Sequence, residues 1–216
     1  MSGTLQVRVQ VQVQVQVRLV RPDEYERAGE LVVAAYRALP GGHLSDDYAA
    51  LLADVARRAR EAEVMVAVIA GTEGHDLNST DAGHLPGQVL GQVARHVAGC
   101  VTLVSDATSP WAELLEPGEA GIRMLAVEPR AQHCGAGRAL VEACISRSKE
   151  LGRMGLFLHT TPWMTAAQRL YESLGFERAR YRDWTPVPEV PLLAYRLELA
   201  SRRSADGIGS FDDPEV

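Results

Sequence analysis

The chain has 216 residues, of which 46% are hydrophobic and 23% charged, and its formal net charge at pH 7 is −6. These values are typical of a globular protein, and they argue against a general nucleic-acid binder, which needs an excess of basic residues. No run approaches the roughly 18 apolar residues of a membrane helix. We therefore expect neither a nucleic-acid partner nor a membrane span.

The cysteine pattern indicates the compartment. Cys100, Cys134 and Cys144 form no CxxC pair and cannot all pair with one another. Free thiols are typical of reducing compartments, so we expect a cytoplasmic protein.

A valine repeat opens the chain, with valine at every odd position from Val7 to Val17. Alternation with period two predicts a β-strand with one buried face. Average strands have about 5–6 residues, so we expect only the later part, near Val15 to Val20, to lie in the main sheet. Residues 1–14 are then a strand extension, an arm, or a contact in a homodimer.

Two amphipathic helices follow the first strand. Acidic residues begin the first helix, at 23–39, where the helix dipole favours negative charge. Ser45 is placed to cap the second helix, which we expect over 46–62. Strands over 63–71 and 88–99 are expected to pair antiparallel.

The second half alternates strands with helices, which indicates crossover connections and parallel pairing. In chain order we expect a strand at 121–127, a connecting loop at 128–137, a helix at 138–152, a strand at 156–161, a helix at 164–175 and a closing strand at 192–200. Residues 201–216 carry little apolar content and are expected to be a disordered tail. Residues 1–200 then form a single domain.

The connecting loop reads EPRAQHCGAG and places Gln132, Gly135 and Gly137 between an apolar strand and a helix. It lacks the P-loop pattern, and the dinucleotide fingerprint fails because Leu140 stands where the third glycine is required. Glycines still let backbone amides approach a phosphate closely, and a helix N-terminus supplies partial positive charge. The loop is therefore a candidate anion-binding turn.

The loop resembles the acyl-coenzyme A loop of the GNAT acetyltransferase family, whose pattern is Arg/Gln-x-x-Gly-x-Gly/Ala. The segment AQRLYESLGF, residues 167–176, resembles a second segment of the same family, although Met164 stands where many members carry Asn. The resemblance implies an α/β (α+β) GNAT fold, with a mixed, splayed sheet of about six to seven strands and about four helices. Strands 121–127 and 155–161 would part within that sheet.

The resemblance also implies acetyl-CoA as the acyl donor. Backbone groups of one strand would pair with the pantetheine arm, and amides of the loop would hold the pyrophosphate. The residues implied to bind this cofactor are Leu125, Ala126, Val127, Gln132, His133, Cys134, Gly135, Ala136, Gly137 and Arg138.

In this family an amine attacks the acetyl carbonyl directly. Tyr171 matches the family's tyrosine acid, which protonates the departing thiolate, although its spacing also suits a half-buried aromatic on an amphipathic helix. Glu119 is the first candidate for the base and His159 the second, with a surface glutamate or a core histidine as the alternative. No metal site is expected, because His75 and His84 lack a clear third ligand.

Two functions remain open from the sequence. The first is an N-acetyltransferase that acetylates a primary amine of a small molecule or peptide, which the presence of Tyr171 beside an intact loop favours. The alternative is a non-catalytic acyl-CoA-binding sensor or interaction module. The acceptor pocket is expected from residues 36–48, 72–87 and 105–118, with Trp163 and Trp184 at its border.

Overall fold

The computed structural model describes residues 14–39, 44–71 and 94–199. Most of the valine repeat, the segment at 72–87 with His75 and His84, and the tail at 201–216 lie outside the described residues. The homodimer contact and the disordered tail therefore stay predictions. Within the described part, no helix has both the length and the apolar character needed to cross a membrane.

In the described residues, seven strands form one mixed sheet. They are β1 (Val15–Leu19), β2 (Glu63–Gly71), β3 (Ala94–Val104), β4 (Glu119–Val127), β5 (Gly155–Thr160), β6 (Glu177–Arg178) and β7 (Leu193–Glu198). Their spatial order is β1-β2-β3-β4-β5-β7-β6. Among these described strands, β4 and β5 pair in parallel and the other neighbours pair antiparallel.

The described residues also form five α-helices: α1 (Tyr25–Arg37), α2 (Asp46–Ala53), α3 (Val55–Glu61), α4 (Ala136–Glu150) and α5 (Thr165–Ser173). The single helix expected over 46–62 is wrong, because the backbone leaves helical geometry at Asp54. The Asp54 carboxylate accepts the Arg57 amide at 2.9 Å and so begins α3 as a new helix. Ser45 caps α2 as predicted.

The strand expected over 88–99 ends later than predicted, and its residues 88–93 lie outside the described residues. In the described residues β3 runs from Ala94 to Val104, five residues further than predicted. The added residues include Cys100, Val101 and Leu103, all fully buried. A strand covered on both faces loses the alternation that marks a half-exposed one, so this end had no period-two signal.

Helices cover both faces of the sheet. On one face α4 and α5 pack against β3, β4 and β5 through residues that include Leu103, Leu140 and Leu156. On the other face α1, α2 and α3 pack through residues that include Val32 and Leu52. These two apolar layers hold β4 and β5 at the centre of the protein.

The predicted parting of the two central strands is confirmed. The parallel pairing of β4 with β5 ends at Ile122 and Leu158. On its other side β4 carries a bulge, since three steps from Arg123 to Ala126 oppose two steps on β3. Met124 within this bulge has a φ of 54°. The bulge turns β4 away from β5 and opens a gap between them.

Replacing Leu103 by alanine tests the central position of β3. Leu103 is 0% exposed, so Leu103→Ala is expected to lower the free energy of unfolding by about 2–5 kcal/mol in urea titrations. Leu19→Ala is the matched control, because Leu19 is 57% exposed and should cost less than about 0.5 kcal/mol. Equal losses in the two variants would contradict the assigned core.

Candidate active site

A cavity of about 330 Å³ opens where β4 and β5 part. Its floor is formed by residues of the two strands, and α1, α2 and the segments at 111–115 and 186–192 complete the wall. Several aromatic side chains line it: Tyr36, Tyr48, Trp111, Phe157, Trp163 and Tyr171. The expected pocket segments at 36–48 and 105–118 thus do contribute, whereas 72–87 lies outside the described residues.

Tyr171 lies on α5 and reaches the cavity from the α4 face of the sheet. Its ring is 4% exposed and packs 5.7 Å from Phe176 and 6.2 Å from Tyr195, measured between ring centroids. Burial raises the pKa of Tyr171 well above its ordinary value of about 10. The hydroxyl therefore keeps its proton at neutral pH and can donate it.

His159 lies on β5 and also lines the cavity. Its Nε2 atom is 3.1 Å from the carbonyl oxygen of Arg182. A carbonyl only accepts hydrogen bonds, so Nε2 carries the proton and Nδ1 keeps a free lone pair. Burial also lowers the pKa of His159 below its ordinary value of 6.5. The imidazole is thus neutral at pH 7, as a proton acceptor must be.

Glu119 does not lie with these two residues. It is 2% exposed and does not line the cavity. Arg182 binds both of its oxygens, at 3.0 and 2.9 Å, and Arg196 binds one of them at 2.7 Å. Burial by itself would raise the pKa of Glu119, but the hydrogen bonds from Arg182, the Glu116 amide and Arg196 outweigh it and lower the pKa. This geometry favours a structural role.

The loop before α4 leaves backbone amides open. Gly135, with a φ of 84°, precedes α4, which has no side-chain cap and no acidic residue in its first turn. The first amide bonded within this helix is that of Ala139, which donates to Gly135 at 2.9 Å. The amides of Ala136, Gly137 and Arg138 therefore have no acceptor within the helix. Together with the positive end of the helix dipole they suit a diphosphate.

The preceding loop residues differ from these three. The Gln132 amide donates to Pro129 at 3.3 Å, and the Cys134 amide donates to Ala131 at 3.4 Å. Both amides thus already have backbone acceptors within the loop. The side chains of Gln132 and Cys134 still lie beside it. Arg138, at the start of α4, donates to Ser173 of α5 at 2.6 Å and so links the two helices.

Backbone groups at the end of β4 face the gap. The Glu128 amide donates to Ala98 of β3 at 2.8 Å. Because successive residues of a strand direct their N–H and C=O groups to opposite sides, Ala126 also faces β3 while Leu125 and Val127 face away from it. Leu125 lines the cavity, and a Cβ at Gly137 would lie 3.6 Å from Val127. The strand therefore connects the cavity to the α4 loop.

An ion pair that the sequence did not reveal lies in the cavity wall. Nη2 of Arg123 is 2.9 Å from Oε2 of Glu113, and Nη1 donates to the Trp111 carbonyl at 2.9 Å. Both charged residues line the cavity. No local pattern could have paired them, because one lies in a loop and the other on β4.

Of the two tryptophans expected at the border of the acceptor pocket, Trp163 lines the cavity and Trp184 does not. The Trp184 ring lies 6.3 Å from that of His159. Met164, which precedes α5, also lines the cavity. Among the described residues, no group of three or more His, Cys, Asp or Glu side chains could hold a metal ion.

The sequence model of the acetyltransferase (GNAT) family matches residues 69–176, which is half of the chain. The chain belongs to the GNAT family. The predicted family and fold are thereby confirmed.

Two acetyltransferases are similar in sequence to about a third of the chain. The chain is 42% identical over 64 residues to ribosomal protein bS18-alanine N-acetyltransferase of Escherichia coli, covering 30% of this chain and 43% of that protein. It is 34% identical over 76 residues to mycothiol acetyltransferase of Geodermatophilus obscurus, covering 32% of this chain and 25% of that protein. The chain thus matches less than half the length of either relative.

A solved structure matches over more of the chain. The fold superimposes on yncA of Salmonella typhimurium, solved with its cofactor acetyl-CoA, with a TM-score of 0.57 and 17% identity. The match covers 89% of this chain and 98% of that one. At this identity the likeness shows the fold.

Replacing Glu119 by glutamine tests its structural role. Glu119→Gln leaves two arginines without their shared counter-ion, and should lower the free energy of unfolding at pH 7 by about 3 kcal/mol. Because the folded-state pKa of Glu119 is lowered, its contribution is fully present above about pH 4.3. It is lost as the pH falls through the lowered pKa, so the gap between variant and wild type should narrow there.

Glu198→Gln is the matched control, since Glu198 also bonds to Arg196 but its side chain is 72% exposed. Urea titrations at pH 7 and pH 3.5 measure the free energy of unfolding of the wild type and both variants. A Glu119→Gln variant as stable as Glu198→Gln would contradict the structural role.

Proposed function

We propose that this protein is an acetyl-CoA-dependent N-acetyltransferase that acetylates a primary amine of a small molecule or peptide by direct attack. The observation that carries the proposal is the gap between β4 and β5. Tyr171 and His159 line the cavity in this gap, and β4 leads from it to the open amides of α4. The candidate acid and base thus share one cavity, and β4 connects that cavity to the anion site.

The residues present fit the acyl donor. The amides of Ala136, Gly137 and Arg138 would bind its diphosphate, and backbone groups of Leu125 and Val127 would pair with the pantetheine arm. Ala126 faces β3, opposite Cys100, and would contribute through its side chain alone. When bound, acetyl-CoA supplies an activated acetyl carbonyl and a thiol leaving group.

His159 and Tyr171 carry the proton transfers. Nδ1 of His159 takes a proton from the acceptor's ammonium group, which frees the nitrogen lone pair for attack. As the new carbon–nitrogen bond forms and the carbon–sulfur bond breaks, the Tyr171 hydroxyl would give its proton to the departing sulfur. The second proton that the nitrogen loses on becoming an amide would then restore the Tyr171 hydroxyl. Glu119 takes no part in these steps, because its oxygens are bonded to Arg182 and Arg196.

The named relatives support acetyl transfer and differ in acceptor. One is named for mycothiol and the other for an alanine of a ribosomal protein. Their names therefore do not choose between a small molecule and a peptide for this chain. A cytoplasmic location fits either acceptor and stays a prediction.

The variant Tyr171→Phe tests the acid. It should lower kcat about 100-fold or more, because the leaving thiolate loses its proton donor, while the affinity for acetyl-CoA stays unchanged. Thiol release measures turnover, and titration calorimetry measures affinity. Tyr195→Phe is the matched control, since Tyr195 is a neighbouring buried tyrosine whose hydroxyl bonds to Glu172 at 3.1 Å.

Unchanged turnover in Tyr171→Phe would remove Tyr171 from the mechanism. If the wild type binds acetyl-CoA but acetylates no amine, the non-catalytic sensor or interaction module becomes the better account.

The pH profile of a His159→Asn variant tests the base. Since burial lowers the pKa of His159, kcat/KM of the wild type should rise with pH below 6.5 and level off near pH 7. His159→Asn should lose about 100-fold at pH 7. The loss should shrink toward pH 10, where a primary amine deprotonates in solution.

The control is His96→Asn, because the side chain of His96 is 46% exposed and pairs with Glu128 at 3.7 Å, and neither residue lines the cavity. A constant loss from pH 7 to pH 10 in His159→Asn would exclude a base role.

A further inference from the structure

Resting on the proposed acetyl transfer, we propose that the acceptor is a monocationic primary amine with an aromatic or branched apolar body, and that Glu113 binds its ammonium group. The acceptor side of the cavity is mostly carbon. Its wall carries Tyr36, Leu44, Tyr48, Trp111, Trp163 and Val190. Such a surface favours an apolar body, because burying apolar area releases water from both partners.

The aromatic side chains of this wall are held in place by contacts with their neighbours. Trp111 is 6% exposed, and its indole N–H donates to Glu61 at 2.7 Å. The guanidinium of Arg57 lies 5.3 Å from the centre of the same ring. Tyr36 and Tyr48 pack edge to face with centroids 6.2 Å apart. Side chains already held in place lose little entropy when a ligand binds.

The charges of the cavity limit the acceptor to one positive group. Among the described residues that line it, Glu113 is the only carboxylate and Arg123 the only guanidinium. Oε2 of Glu113 is bonded to Arg123, and with 42% of the side chain exposed the carboxylate can also accept a bond from an ammonium group. A second positive charge on the acceptor would meet Arg123 and, within the described part of the lining, no further carboxylate.

The entrance to the cavity is unsuited to a peptide. A peptide carries an N–H and a C=O group at each residue, and each must find a partner when buried. The rim instead offers apolar side chains, including Tyr48, which is 39% exposed, and Val187, which is 52% exposed. A small amine with a carbon-rich body leaves no such groups unpaired.

Glu113 also lies close to the proposed base. His159 and Glu113 line the same cavity. Arg123, the ion-pair partner of Glu113, directly follows Ile122 on β4, and His159 directly follows Leu158 on β5, and Ile122 and Leu158 are the last pair in the parallel register. An ammonium group held by Glu113 would therefore sit beside the group that takes its proton.

The test compares three probes: 2-phenylethylamine, spermidine and a tetrapeptide with a free N-terminal alanine. Each is titrated into the protein in the presence of coenzyme A, with tryptophan fluorescence and calorimetry as readouts, and thiol release from acetyl-CoA is measured separately. We expect 2-phenylethylamine to bind at least about tenfold more tightly than the other two.

Glu113→Gln should weaken binding of 2-phenylethylamine at least about tenfold and leave the affinity for acetyl-CoA unchanged. Glu150→Gln is the control, because Glu150 is 63% exposed at the end of α4 and bonds to Arg147. It should change neither affinity. Circular dichroism confirms that both variants are folded.

The outcomes separate this inference from the proposed function. Tighter binding and faster turnover of spermidine or the tetrapeptide would overturn the acceptor class and leave acetyl transfer standing. Binding of 2-phenylethylamine that depends on Glu113, with no probe acetylated, would support the inference and count against the enzyme. Absence of 2-phenylethylamine binding, or binding unaffected in Glu113→Gln, would overturn the inference.

Discussion

At Met124 the backbone of β4 takes a φ of 54°, just after its parallel pairing with β5 has ended at Ile122. A non-glycine residue in this region is strained, and strain of this kind persists where the surrounding structure holds it in place. Because β4 leaves β5 here, a ligand can reach the backbone of β4. Backbone groups of Leu125 and Val127 face a gap inside the sheet, where an extended ligand can supply the missing hydrogen bonds.

Ion pairs stabilise the sheet at the closed end of the gap, where β4 and β5 still pair. Glu119 begins β4, Arg196 lies on β7 and Arg182 lies in the short helical turn after β6, so one buried carboxylate joins two strands and this turn. Breaking a buried ion pair of this kind costs far more than its net stabilisation, because an unpaired charge remains. Arg182 also offers its carbonyl to His159. The residues that stabilise the sheet thereby also fix the tautomer of the proposed base.

Local chemistry made part of this architecture predictable. The turn at Gly135, the start of α4 and the position of Tyr171 follow from short patterns, because each depends on neighbours in the sequence. The break at Asp54 does not follow from such a pattern, because an aspartate within a helical apolar periodicity suits an exposed helix position as well as a cap. The far end of β3 was missed because a strand buried on both faces shows no alternation.

The candidate site shows the same difference between features set by neighbouring residues and contacts between residues far apart in the sequence. His159 and Tyr171 were named from sequence, but the tautomer of His159 depends on Arg182, 23 residues away. The Glu113–Arg123 pair joins a loop to a strand, and only the folded sheet brings Glu119 to Arg182 and Arg196. Such contacts carry no local signal, so the ionic part of the site had to come from the structure.

Titration calorimetry with acetyl-CoA tests most directly whether the gap between β4 and β5, with the open end of α4, binds an acyl donor. We expect one site per chain, no binding of NAD, and at least about tenfold weaker binding in Gln132→Glu, which sets a carboxylate beside the diphosphate. Gln16→Glu is the control, because Gln16 is exposed on the edge strand β1, and it should bind like the wild type. Absence of binding, or equal affinity in the two variants, would contradict the account.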